Sequence, residues 1–168
     1  MAQQAAKDEK IHVTDDLRDF LLEKAAAYER PDFIPYDPIA IPHRFSDKAD
    51  IELAGFIAAT LAWGQRKTIL ASAGGFMDRL DGAPGDFVQH ATPEDIRTAS
   101  KGFVHRTFQP RDAELFLHAL QGLVKDYGGL EHAFVPDGEP SQAVACLTTF
   151  HNRFFEAAAA RGYEPGRT

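Results

Sequence analysis

Between Ile51 and Trp63 the chain is apolar at nearly every position: Ile51, Leu53, Ala54, Phe56, Ile57, Ala58, Leu61, Ala62 and Trp63. Ser46 or Asp47 stands ahead of this run as a helix cap. A helix with so little polar face is covered on most sides, so Ile51, Ala54, Ile57, Ala58 and Leu61 are expected to be almost wholly buried. Three- and four-residue apolar spacing predicts further helices. One follows Thr14 or Asp15, with Leu17, Phe20, Leu21, Ala25 and Tyr28 on one face, and ends before Pro31. Another runs from Arg66 or Thr68 to Leu80 and stops at the breaker D-G-A-P-G. Thr92-Pro93-Glu94 has the form cap, first-turn proline, first-turn acid and opens a short helix. Asp112 to Tyr127 is a longer one stopped by Gly128-Gly129, and Ser141 to about Ala160 is the last. No segment alternates as a strand does. The expected fold is all-α, an orthogonal bundle of about six to eight helices, with residues 1–13 a disordered tail and 14–168 a single helical domain.

Pro31, Pro35, Pro38 and Pro42 fall within twelve positions, which rules out a regular α-helix there. Phe33, Ile34, Tyr36, Ile39 and Ile41 accompany them, so an extended arm packed on the domain is expected.

Charge narrows the partners. Eighteen Lys and Arg against 25 Asp and Glu leave a net −7, which argues against a surface that grips nucleic acid everywhere. The distribution is uneven. From Ile96 to Arg111 the only charged residues are Arg97, Lys101, Arg106 and Arg111, whereas Asp112 to Pro140 carries six acids against Lys125. An anionic partner has to meet a local patch. Cys146 is the single cysteine, so neither an internal disulfide nor a thiolate cluster can form, and a cytoplasmic protein is expected. No membrane span is expected. The histidines never fall at H-x-x-x-H spacing, so no metal site or cofactor is expected.

The apolar run breaks at A-T-L-A-W-G-Q-R-K-T, Ala59 to Thr68. Gly64 can take a positive φ and end the helix, and the unpaired N–H groups that begin the next one favour an anion. Arg66 and Lys67 add charge there, while Gln65 offers donors and an acceptor. Two readings stay open: a phosphate or base contact, or a corner made polar simply because it leaves the core. G-F-V-H-R-T-F, Gly102 to Phe108, interleaves rings and charges as nucleic-acid contacts do. The expectation for a helical protein is that Phe103 and Phe108 plug the core, leaving His105 and Arg106 outside. P-H-R-F places His43 beside Arg44, as a phosphate pair or as a tie between arm and bundle, and Asp37 serves first as a turn-former and second as a carboxylate for chemistry.

D-I-E-L-A-G-F-I-A-A-T-L-A-W-G-Q-R-K-T-I-L, together with Y-D-P-I-A-I-P-H-R-F-S and G-F-V-H-R-T-F, closely resembles a bacterial domain-of-unknown-function family. That family looks distantly like the helix-hairpin-helix base-excision DNA glycosylases, the matching turn here being Gly64-Gln65-Arg66. The resemblance implies contact with DNA or RNA through Gln65, Arg66, Lys67, His105 and Arg106. It also implies that the chain is an N-terminal portion, without catalysis of its own, and that uncovered apolar surface promotes self-association. The glycosylases' Leu-Pro-Gly-x-Gly hairpin is missing, since no Gly-x-Gly occurs in the sequence. The alternative is a helical structural or protein-interaction domain.

Overall fold

The computed structural model describes residues 14–135 and 142–163. The expected tail at 1–13 and the expected helix start at Ser141 lie outside them. The described residues form an all-α protein without strands. Its helices are α1 Asp15–Tyr28, α2 Lys48–Thr60, α3 Arg66–Arg79, α4 Pro84–His90, α5 Pro93–Ser100, α6 Pro110–Tyr127, α7 Leu130–Phe134 and α8 Ala143–Ala159.

Two compact units divide the chain, one ending at Pro35 and one running from Tyr36. In the first, the Thr14 hydroxyl accepts from the Leu17 N–H at 3.3 Å and starts α1, as the cap pattern predicts. After the helix, Tyr28 meets Phe33 edge-on with ring centroids 5.5 Å apart.

The proline arm, expected to be extended, is wound into 3-10 turns at Pro31–Tyr36, Pro38–Ala40 and Pro42–Arg44, the last two opening the second unit. Pro38 and Pro42 each occupy the first position of their turn, where the fixed φ fits and no N–H is needed. Asp37 starts the Pro38–Ala40 turn by accepting from the Ile39 N–H at 3.1 Å. The arm is packed as expected at Ile41, which is fully buried, while Tyr36 and Ile39 stay exposed.

The Asp47 carboxylate caps α2 through the Ala49 N–H at 2.9 Å. Ala54, Ile57, Ala58 and Leu61 are buried as expected, but Ile51 is 40% exposed. Ile51 shares their stripe yet lies in the first turn, where cover from neighbouring elements runs out. Two carboxylates of this helix then start two others. Asp50 accepts from the Gly85 N–H at 2.7 Å at the head of α4, and Glu52 accepts from the Leu130 N–H at 3.2 Å at the head of α7.

α6 lies at the centre, with Leu117, Ala119, Leu120 and Leu123 wholly buried. Its approach to α8 depends on Gly122, where a Cβ would stand 2.7 Å from that of Ala157. Phe56, Phe116, Phe150 and Phe154 fill the space between α2, α6 and α8, with centroids 4.9 Å apart for Phe116 and Phe154 and 5.2 Å for Phe56 and Phe150. Gln121, itself buried, donates from Nε2 to the carbonyls of Val88 at 3.1 Å and Ala91 at 2.9 Å, closing the end of α4. These packed helices hold the α2–α3 corner and the loop after α5 in place.

Candidate functional site

α2 gives way after Thr60, and Gly64 turns the chain with φ +115° before α3 begins at Arg66. Gln65 occupies the capping position in extended conformation, its side chain making no capping bond. Gln65, Arg66 and Lys67 are all exposed, and the first turn of α3 contains no acid. The first backbone N–H groups of α3 and the two cationic side chains therefore share one corner, a favourable place for an anion.

The loop after α5 comes to the same corner. His105 and Phe108 exchange backbone hydrogen bonds, each of 2.9 Å, which closes a tight turn with Arg106 at φ +57°. From that turn the Arg106 guanidinium lies 4.8 Å from the centroid of the Trp63 ring. It also rests against Gly64, where a Cβ would come within 3.1 Å of Nη1. Trp63 remains 38% exposed. The corner thus presents Arg106 on a partly open indole, with the exposed Arg66 and Lys67 three and four residues further along the chain from Trp63.

His105 corrects the expectation that it lies outside: it is 2% exposed. Its Nε2 is 3.3 Å from the Trp63 carbonyl and its Nδ1 is 2.9 Å from the Ser72 hydroxyl. A carbonyl only accepts, so Nε2 donates to Trp63, while Nδ1 meets a hydroxyl able to serve it in either sense. Both nitrogens are used within the fold. His105 is consequently a pin that ties the loop to α3 and to the end of α2, and it positions Arg106 instead of meeting a ligand itself. Phe103 is buried as expected, 4.5 Å from Phe76 between centroids, and Phe108 packs partly buried against the core.

Beside the corner lies a groove of about 520 Å³ with Gly55, Ala58 and Ala62 of the α2 segment among its walls and with Asp37 and Arg66 as its charged lining. The second-choice candidates divide. Asp37 joins this groove. Arg44 instead packs on α3, where a Cβ at Gly74 would stand 3.2 Å from its guanidinium, so it ties the arm to the bundle. His43 is exposed and lines neither the groove nor the corner. Sequence reasoning missed Trp63 and Ser72. The position of the tryptophan one residue before Gly64 was a usable signal; Ser72 gave none, because its partner lies 33 residues away.

Among the described residues, no group of three or more His, Cys, Asp or Glu is placed to hold a metal ion, and no helix is long and apolar enough to cross a membrane. A family model described as "Protein of unknown function (DUF2400)" matches residues 37–165. The chain belongs to that family. No curated protein and no solved structure matches it. The DUF2400 match begins at Asp37 and so takes in every candidate residue above. Its description names no activity, and it offers nothing for the likeness to glycosylases.

Proposed function

We propose that this DUF2400 protein binds a nucleic-acid strand, DNA or RNA, at the Gly64 corner. The observation that supports this most is the meeting of Arg106 with Trp63 and Gly64, directly ahead in the chain of the exposed Gln65, Arg66 and Lys67. Arg66 and Lys67 take phosphates together with the first N–H groups of α3. Arg106 and Trp63 offer a cation and a ring against which a base can stack, and Gln65 reaches a base edge or the backbone. The net charge of −7 limits such contact to local basic patches, of which this corner is one. Kinship with glycosylases is the finer part of the reading and is supported only by the Gly64-Gln65-Arg66 turn; the role proposed is binding, without bond cleavage. A cytoplasmic location suits the single cysteine.

Titration of labelled single- and double-stranded oligonucleotides at low and moderate salt tests the reading. Binding is expected to weaken with salt, and replacing Arg66 and Lys67 together by alanine is expected to reduce the log–log salt slope by about 2. A folded double variant that binds like the parent at both salt concentrations overturns it.

A second reading, a protein-interaction domain, is supported by Val144 and Leu147 on α8, which are 72% and 61% exposed. Self-association that Val144→Asp with Leu147→Asp abolishes would favour it, measured by light scattering.

A further inference from the structure

Only Arg106 of the acid-free basic run reaches the Gly64 corner. The other three cations, Arg97, Lys101 and Arg111, line a separate groove of about 630 Å³ between α5 and the start of α6. Arg97 is paired with Glu94 at 2.5 Å. Lys101 and Arg111 are exposed, and their side chains have no ion-pair or hydrogen-bond partner among the described residues. Glu94 and Glu114 also line the groove, Glu94 being the partner of Arg97.

One more residue of the lining points to a ligand. Ser100 is 1% exposed, and its hydroxyl has no hydrogen-bond partner. A buried polar atom left unsatisfied is costly, and such atoms in folded proteins ordinarily find a partner. A hydroxyl can donate to an anionic oxygen, as the guanidinium of Arg111 and the ammonium of Lys101 can.

We propose that the groove formed by Arg97, Ser100, Lys101 and Arg111 binds a phosphate group, supplied by the continuation of the strand held at the Gly64 corner. This rests on the nucleic-acid reading above. The distance fits. Lys101 and Arg106 lie on one connection between α5 and α6, five residues apart, which bounds their Cα separation at about 18 Å. A strand rising 3.4 Å per nucleotide covers that in about five nucleotides. The two sites then lie within the length of strand a single small binding domain commonly tracks.

The test is fluorescence anisotropy on the full chain with single-stranded oligonucleotides of about four and about twelve nucleotides. Circular dichroism serves as the check of folding. The Lys101→Ala, Arg111→Ala double variant is expected to bind the longer strand about tenfold more weakly, with a salt slope lower by about 2, and to bind the shorter one unchanged. Glu114→Gln, which removes a carboxylate and keeps the shape, is expected to tighten the longer strand's binding. A folded K101A/R111A protein that binds the longer strand like the parent overturns the inference, whatever the corner does.

The corner variant separates the two readings. If R66A/K67A leaves binding intact while K101A/R111A weakens it, the corner reading fails and the groove still takes phosphate. A final arm distinguishes the source of the phosphate. Inorganic phosphate and a mononucleotide are titrated while the Ser100 amide is followed by NMR. Displacement of the longer strand only at high phosphate concentration supports the strand as source. Saturation by free phosphate, with no dependence of binding on strand length, overturns the strand and leaves a small-anion site.

Discussion

Among the described residues two histidines are buried, and they do opposite things. His105 is 2% exposed with hydrogen-bonding partners at both ring nitrogens, Ser72 and the Trp63 carbonyl. His118, on α6, is 6% exposed, and its Nδ1 has no partner. Its ring stacks on Tyr163 with centroids 4.7 Å apart and planes 28° from parallel. The difference is one of specificity. A buried imidazole bonded at both ends fixes three segments relative to one another; a buried imidazole bonded by neither a donor nor an acceptor at one end is mainly a flat filler that carries a solvation cost.

Removing His105 is the strongest way to probe the contrast. His105→Ala is expected to cost about 3 kcal/mol, because a cavity opens and two polar partners are stranded. Urea denaturation measures it. Amide exchange should show the loop from Gly102 to Gln109 losing protection ahead of α6. A loss under about 1 kcal/mol would mean that the pin is not structural.

His118→Phe is expected to act much less, within about 1 kcal/mol of the parent, since it keeps the stack on Tyr163 and removes the orphan nitrogen. If it destabilises as much as His105→Ala, the two sites do not differ as argued.

The next comparison uses pH. Burial pushes the pKa of His118 below the ordinary 6.5, with the Arg161 charge helping and Glu114 opposing. The unfolded chain therefore takes up this proton first. Stability due to the neutral ring is fully present above 6.5 and declines as pH falls from there toward the lower folded-state value. Denaturation midpoints measured between pH 7 and about 5 are expected to fall less steeply in His118→Phe than in the parent. Equal slopes would place the pH dependence elsewhere.

The smallest effect is expected at the corner. Arg66→Ala with Lys67→Ala changes stability by under about 0.5 kcal/mol, as exposed charges usually do. A clear drop in melting temperature would make the corner a structural clamp and remove the ground for a binding role.

What the sequence reveals follows how local each determinant is. Caps and stops name the starts of α2 and α5 and both ends of α3 and α6 to within a residue or two, since Asp47, Thr92 and Gly128 act on their immediate neighbours, but α2 ends at Thr60, four residues short of the Gly64 expected to stop it. α4 and α7 were hidden because their first N–H groups are met by Asp50 and Glu52, 35 and 78 residues away. D-G-A-P-G looked only like a breaker, although Pro84 is the first residue of a helix. The exposure of Ile51 was misjudged because composition says how apolar a helix is, not where its cover ends. At the corner, the residue types and their accessibility were legible at Gln65, Arg66 and Lys67. The inward turn of His105 was not, because Ser72 is distant in sequence and close only once α3 and the loop are packed.

Gln121 ties the order of assembly to this arrangement. α4 has seven residues, too few to persist as an isolated helix. Its first turn is held by Asp50 of α2, and its last carbonyls by a side chain from the middle of α6. Each end waits for a different partner. During synthesis Gln121 emerges about 30 residues after Val88 and Ala91, so the segment from Pro84 to His90 leaves the ribosome as coil. Its carbonyl end is closed only once α6 is in place.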